Sequence, residues 1–253
     1  MFQNNDHPHQ GQPVLEKGKP LDQAKGAVIL IHGRGASADS ILTLYDELMH
    51  LEESAGARKE GAAGARKETT AGSQVSAADP QNGGASVADL AWMAPQAANH
   101  TWYPYPFMSP LEQNEPWLES ALQVMDELIT KALGAGIPKE RIVLAGFSQG
   151  ACLSTEFAAR NADRYGGVVA LSGGVIGPDV DYSRYRGSMK KTPVFIGCSD
   201  IDSHIPEHRV QDTAGVFENL GADVTKKIYP GMGHTVNEDE LHHFRNMLHN
   251  LPV

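Results

Sequence analysis

Short apolar, β-branched runs alternate with segments of helical periodicity along most of this chain, and that alternation limits the fold more than any other feature. The runs are GAVILIHG (26–33), DLAWMAP (89–95), RIVLAG (141–146), GGVVALSG (166–173), TPVFIGC (192–198) and DVTKKIYPG (223–231). Between them lie ADSILTLYDELMHLEE (38–53), PWLESALQVMDELITKALGAG (116–136), QGACLSTEFAARN (149–161), PEHRVQDTAGVFENLG (206–221) and EDELHHFRNMLHNL (238–251). These place apolar residues at helical spacing. Asp39 or Ser40 is able to cap the first of them. Strands joined by helices form a mostly parallel sheet with helices on both faces. The expectation is therefore an α/β fold in a single domain over 26–253, a length one such domain can fill. Residues 1–25, polar with Pro and Gly, read as an N-terminal tail and a loose edge element.

One stretch breaks the pattern. Residues 55–86 hold no large apolar side chain except Val75, and AGARKE occurs at Ala55–Glu60 and again at Ala63–Glu68. Such a segment has nothing with which to build a core. About 54–87 reads as an inserted surface loop without fixed order, with a short Ala-rich surface helix as the other reading.

Composition narrows the partners. The net charge of −10 argues against non-specific binding to nucleic acid or to anionic membranes. The polar start MFQNNDHPHQGQP has no apolar core of a secretory signal, and GAVILI is too short to span a bilayer. Two cysteines, Cys152 and Cys198, fall in no metal-binding spacing. The expectation is a soluble cytoplasmic protein that needs neither metal nor cofactor.

Ligands of open parallel sheets bind beyond the carboxyl ends of the strands. The loops at that edge are 32–38, 95–110, 147–150, 173–190, 198–206 and 230–237. One of them holds Gly146-Phe147-Ser148-Gln149-Gly150, a G-x-S-x-G pentapeptide between an apolar strand and a helix. That context suits a strained turn that exposes a nucleophilic serine, with glycines where strand and helix come too close for side chains. The plainer reading is a glycine-softened turn.

A serine hydroxyl needs a base, usually histidine, oriented by a carboxylate. Of the histidines that follow Ser148, His242, His243 and His249 sit in the last helix and His208 in another. His234, in YPGMGHT just past a strand, is the best-placed base. GCSDIDSHIP supplies two acids, Asp200 and Asp202, and position alone does not separate them. Two N–H donors would face the developing oxyanion: Gln149, at a helix N-terminus, and Arg34, in the glycine-rich loop IHGRGAS. That loop lacks the spacing of a phosphate-binding motif.

HGRGAS, GFSQGA, DIDSHIP and GMGHT, in that order, resemble the small carboxylesterase, lysophospholipase and acyl-protein thioesterase family of α/β-hydrolases. The resemblance covers roughly 26–250 and implies the α/β-hydrolase fold and cleavage of small-molecule carboxylic esters or thioesters through an acyl-enzyme. It favours Asp202, in DSHIP, as the acid. It also places Trp102, in WMAPQAANHTWYP, in an apolar substrate-facing loop, as a binding candidate. The chain departs from the pattern at Arg34, where the family often has a smaller or apolar residue. That side chain adds a positive charge near the pocket. The 54–87 insertion has no counterpart there. The same machinery serves peptidases and lactone hydrolases. A non-catalytic binding module of this fold would show a missing triad member, and none is missing.

Overall fold

The computed structural model describes residues 6–63 and 84–253. Seven strands form one sheet: β1 (Val14–Gly18), β2 (Ala27–Ile31), β3 (Ala91–Pro95), β4 (Ile142–Phe147), β5 (Gly167–Leu171), β6 (Pro193–Ser199) and β7 (Asp223–Tyr229). Their order across the sheet is β1-β3-β2-β4-β5-β6-β7. Among the described strands only β1 is antiparallel to its neighbour, running from Val14 opposite Pro95 to Gly18 opposite Ala91. The other pairs are parallel.

The helices are α1 (Ala38–Ile41), α2 (Thr43–Ala63), α3 (Leu111–Asn114), α4 (Trp117–Gly134), α5 (Gln149–Arg160), α6 (Glu207–Asn219) and α7 (Glu238–His249). Side chains alternate between the two faces of a strand. Ile29, Ile31, Leu144, Ala170 and Ile196 therefore pack under α4, α5 and α6. Val28, Leu30, Val143, Val169 and Phe195 pack under α1, α2 and α7. Both faces are covered, which is why β2 to β5 read as unbroken apolar runs.

The predicted helix 38–53 is two helices, α1 and α2, the second continuing to Ala63. Neither Asp39 nor Ser40 caps the first. Ser37 does: its hydroxyl accepts from Ser40 N at 3.1 Å, and Ser40 Oγ accepts from Ser37 N at 3.0 Å. Of the expected 54–87 insertion, residues 54–63 continue α2, and 64–83 lie outside the described residues.

Parallel strands end at one edge, and their order brings distant loops together. The loops after β2, β4, β6 and β7 all leave that edge. They contain Arg34, Ser148, Asp202 and His234 respectively.

Candidate active site

Ser148 stands between β4 and α5 with φ 55° and ψ −119°, a conformation costly for a residue with a Cβ. Its N–H donates to Leu171 O of β5 at 2.9 Å, which holds the turn. The flanking glycines are required by contact. A Cβ on Gly150 would strike the carbonyl of Ile31 and lie 2.7 Å from that of His32. One on Gly146 would strike the backbone of Gly150 and lie 2.7 Å from Ala151 N. The first turn of α5 thus rests directly on β2 and β4.

His234 Nε2 lies 2.8 Å from Ser148 Oγ, and its Nδ1 lies 2.7 Å from Asp202 Oδ2. A carboxylate only accepts, so Nδ1 carries a proton and Nε2 is left as the acceptor facing the serine hydroxyl. The Asp202 side chain is fully buried, and one-fifth of the His234 side chain is exposed. Asp202 Oδ1 accepts from the amides of His204 at 2.8 Å and Ile205 at 3.1 Å. Burial alone would raise the Asp202 carboxyl. The hydrogen bonds from His234 and these two amides outweigh it and hold the carboxyl below its usual range.

Asp200 points elsewhere. Its Oδ1 accepts from Gly231 N at 2.8 Å, while Ser199 Oγ accepts from Gly233 N at 3.0 Å. The two residues tie the histidine loop to the end of β6. Gly231 and Gly233 have φ 69° and 77°, which glycine adopts without penalty. Phe147 and His204 flank the imidazole, with ring centroids 4.9 and 4.8 Å away.

The loop after β2 comes up against the serine: a Cβ on Gly33 would lie 3.3 Å from Ser148 Cβ. Next in that loop is Arg34, and Gln149 is the first residue of α5. Neither backbone N–H is a donor in a hydrogen bond among the described residues. Arg34, Ser148, Gln149 and His234 line one cavity of about 440 Å³, walled by Tyr103, Pro104, Pro106, Phe107, Phe147 and Ile205.

Trp102 does not line that cavity, which corrects its reading as a binding residue. It is fully buried, and its indole N–H donates to His32 O at 2.9 Å. Tyr103, Pro104, Pro106 and Phe107, which follow it, line the cavity instead. Trp102 acts from beneath, anchoring the backbone that leads into Gly33 and Arg34. The side chain of Gln149 adds a second anchor: Oε1 accepts from Trp102 N at 2.9 Å and Nε2 donates to Tyr103 O at 2.8 Å.

Sequence reasoning missed His9. This residue of the expected tail is buried between Trp102 and Trp117, with centroids 5.2 and 5.3 Å apart. Its Nδ1 accepts from Ala98 N at 3.1 Å and its Nε2 donates to Trp102 O at 2.9 Å. His32 is buried too. Its Nδ1 donates to Gly33 O at 2.8 Å and its Nε2 accepts from Ala97 N at 3.1 Å. Burial pushes both histidines below their usual value, in keeping with a neutral ring that must also accept. A polar N-terminal run with no periodicity gave no signal for such a role.

Cys152 lines the cavity, and Cys198 lies with its Sγ 3.6 Å from Asp202 Oδ2. Both are free, and burial pushes both thiols up to about 12, so they stay protonated.

A mostly parallel sheet that presents Ser, Asp and His, in that chain order, from carboxyl-end loops, with the serine on a strained strand-to-helix turn, is the fold of an α/β-hydrolase. Residues 86–251 match the family model described as phospholipase/carboxylesterase, and the chain belongs to that family. A crystal structure of a phospholipase/carboxylesterase from Dyadobacter fermentans is 36% identical, with a TM-score of 0.76 over 94% of this chain and 96% of that one. Acyl-protein thioesterase 1 of Gibberella zeae is 34% identical over 45% of this chain and 49% of its own length. Lysophospholipase-like protein 1 of Mus musculus is 28% identical over 52% of this chain and 55% of its own. The chain thus spans about half the length of these curated relatives.

Proposed function

We propose that this chain is a serine hydrolase that cleaves carboxylic esters, and thioesters by the same route, through an acyl-enzyme. One observation supports this above all. His234 is 86 residues from Ser148 and 32 from Asp202, and the three meet only because the topology aligns their loops: Nε2 on Ser148 Oγ and Nδ1 on Asp202.

In this reading His234 takes the proton of Ser148 as Oγ attacks the acyl carbon. Asp202 fixes the imidazole tautomer and stabilises the cation that forms, without accepting the proton. The amides of Arg34 and Gln149 donate to the tetrahedral oxyanion, with the positive end of α5 behind Gln149. His234 then protonates the leaving alcohol or thiol. Water then attacks the acyl carbon and loses its proton to His234, which passes it to Ser148 Oγ as the ester bond to the serine breaks, releasing the acid and free Ser148. The strained φ of Ser148 keeps Oγ raised toward the cavity throughout.

The family membership supports ester cleavage as the reaction. Small substrates rather than dispersed lipid suit a bounded cavity of this size. A cytoplasmic location fits two free, buried thiols. Among the described residues no helix is long and apolar enough to cross a membrane.

Hydrolysis of p-nitrophenyl esters from acetate to palmitate, with Ser148→Ala in parallel, tests the reading. The variant is expected to lose turnover by about four orders of magnitude or more while keeping its fold. Undiminished turnover in a folded variant would overturn it. The chain-length optimum reads the depth of the cavity.

A further inference from the structure

Among the described residues that line the cavity, Arg34 is the one permanent charge; Asp, Glu and Lys are missing from its wall. That is notable in a chain of net charge −10. The guanidinium is held in place. Nη1 donates to Thr101 Oγ1 at 3.0 Å and to Pro104 O at 2.8 Å, and Nη2 donates to Tyr105 O at 2.8 Å. Its Cζ lies 5.8 Å from the centre of the Tyr103 ring.

All of these partners are neutral, and Arg34 is in no ion pair with a described carboxylate. A guanidinium has five N–H donors. Three are used here, and the Nε–H with one N–H of Nη2 remains. Nε and Nη2 share one edge of the guanidinium, the edge whose side-on fork matches a carboxylate or phosphate. The charge is thus fixed before any ligand arrives, and it is left uncompensated.

The residue before it, Gly33, lies against Ser148, and Arg34 and Ser148 line the same cavity, so the guanidinium stands within about one arginine side chain of the acyl carbon. We propose that Arg34 selects esters that carry an oxyanion, a carboxylate or a phosphate-type group, a few bonds from the scissile carbonyl. The proposal rests on the esterase reading above and narrows its substrate class. The remaining apolar wall accepts the methylenes between the two ends.

The test compares kcat/KM for three ethyl esters of the same connectivity, followed by ethanol release. Monoethyl succinate carries a carboxylate, ethyl 3-phosphonopropionate a phosphonate, and ethyl succinamate a neutral amide in the same place. Wild type should prefer at least one anionic ester over the amide by about tenfold, the size of a charge-assisted hydrogen bond at a partly solvated site. Which anion leads separates a carboxylate from a phosphate substrate. In Arg34→Gln the ratio of anionic to neutral should fall to one or below. In Arg34→Lys, which keeps the charge and loses the fork, it should be intermediate.

A merely structural Arg34, tying down residues 101–105, would lower all three rates together and leave the ratio unchanged. That outcome overturns the proposal, as does a wild-type ratio at or below one. Rising salt should erode the preference and leave the amide unaffected. This arm needs no variant to fold. Ser148-dependent turnover of the amide without any anion preference would sink the proposal and leave the esterase reading standing. No Ser148-dependent turnover of any of the three would count against both.

Discussion

Glu240 offers a test of the energetics on which this fold rests. It sits in the first turn of α7, where Oε2 accepts from Asn237 N at 2.9 Å and Asn237 Oδ1 accepts from Glu240 N at 3.0 Å. Oε1 has no partner, and the residue is fully buried over Gly197 of β6, where any Cβ would strike it. Burial, reinforced by the charge of Asp239 and only partly offset by Asn237, pushes its carboxyl up from 4.5 to about 7. The folded state therefore binds this proton more tightly than the unfolded chain. Its contribution is fully present below 4.5 and is lost as pH rises through about 7. At about 1.4 kcal/mol for each unit of pKa, passing from pH 5 to pH 8 removes on the order of 2–3 kcal/mol.

Glu240→Gln keeps an acceptor for Asn237 and carries no charge, so it lacks this slope. His9 and His32 slope the other way, because their lowered pKa values remove stability as pH falls. The informative quantity is therefore the difference between wild type and variant, which cancels the histidines. Guanidinium chloride unfolding of both proteins at pH 5 and pH 8 should show wild type losing about 2–3 kcal/mol relative to the variant at the higher pH. Parallel profiles, within about 0.5 kcal/mol, would refute the reasoning.

Five further variants probe the site and its supports. Asp202→Asn should lower kcat by about 10⁴ by presenting the wrong tautomer of His234. Asp200→Asn should cost far less, since Asp200 touches Gly231 and not the imidazole; equal losses in a steady-state assay would contradict the assignment. Gly150→Ala should destabilise the fold by about 1–3 kcal/mol or more through its clash with Ile31. Gly134→Ala in α4, where a Cβ meets nothing within 4 Å, should be neutral or stabilising by up to about 1 kcal/mol in the same melts. His9→Ala should release Trp102 and lower kcat while Ser148 stays reactive, because a loosely held Arg34 amide serves the oxyanion less well. Unchanged kcat in a stable His9→Ala protein would remove His9 from the account.

The strands were legible because both sheet faces are covered, leaving unbroken apolar runs such as AVILI. The turn at Ser148 was legible because its steric demand falls on neighbours two residues away, within reach of a short pattern. The carboxylate that meets His234 was legible only to within two residues. Asp200 and Asp202 occupy one loop, and their different directions depend on bonds to Gly231 and His234 across the sheet edge. Trp102 was placed in the correct loop and on the wrong side of it, since an indole can face a ligand or anchor a backbone carbonyl with equal chemistry. His9 reaches Trp102 from 93 residues away and Ser120 from 111, and no local spacing encodes contacts of that kind.

The central claim is that Ser148 is an activated nucleophile, and active-site labelling reads it most directly. A fluorophosphonate added to the folded protein, followed by peptide mass spectrometry, should give one adduct per chain, on Ser148. Labelling should be lost in His234→Ala. A folded protein that takes no label, or takes it on another residue while Ser148 stays free, would contradict the account.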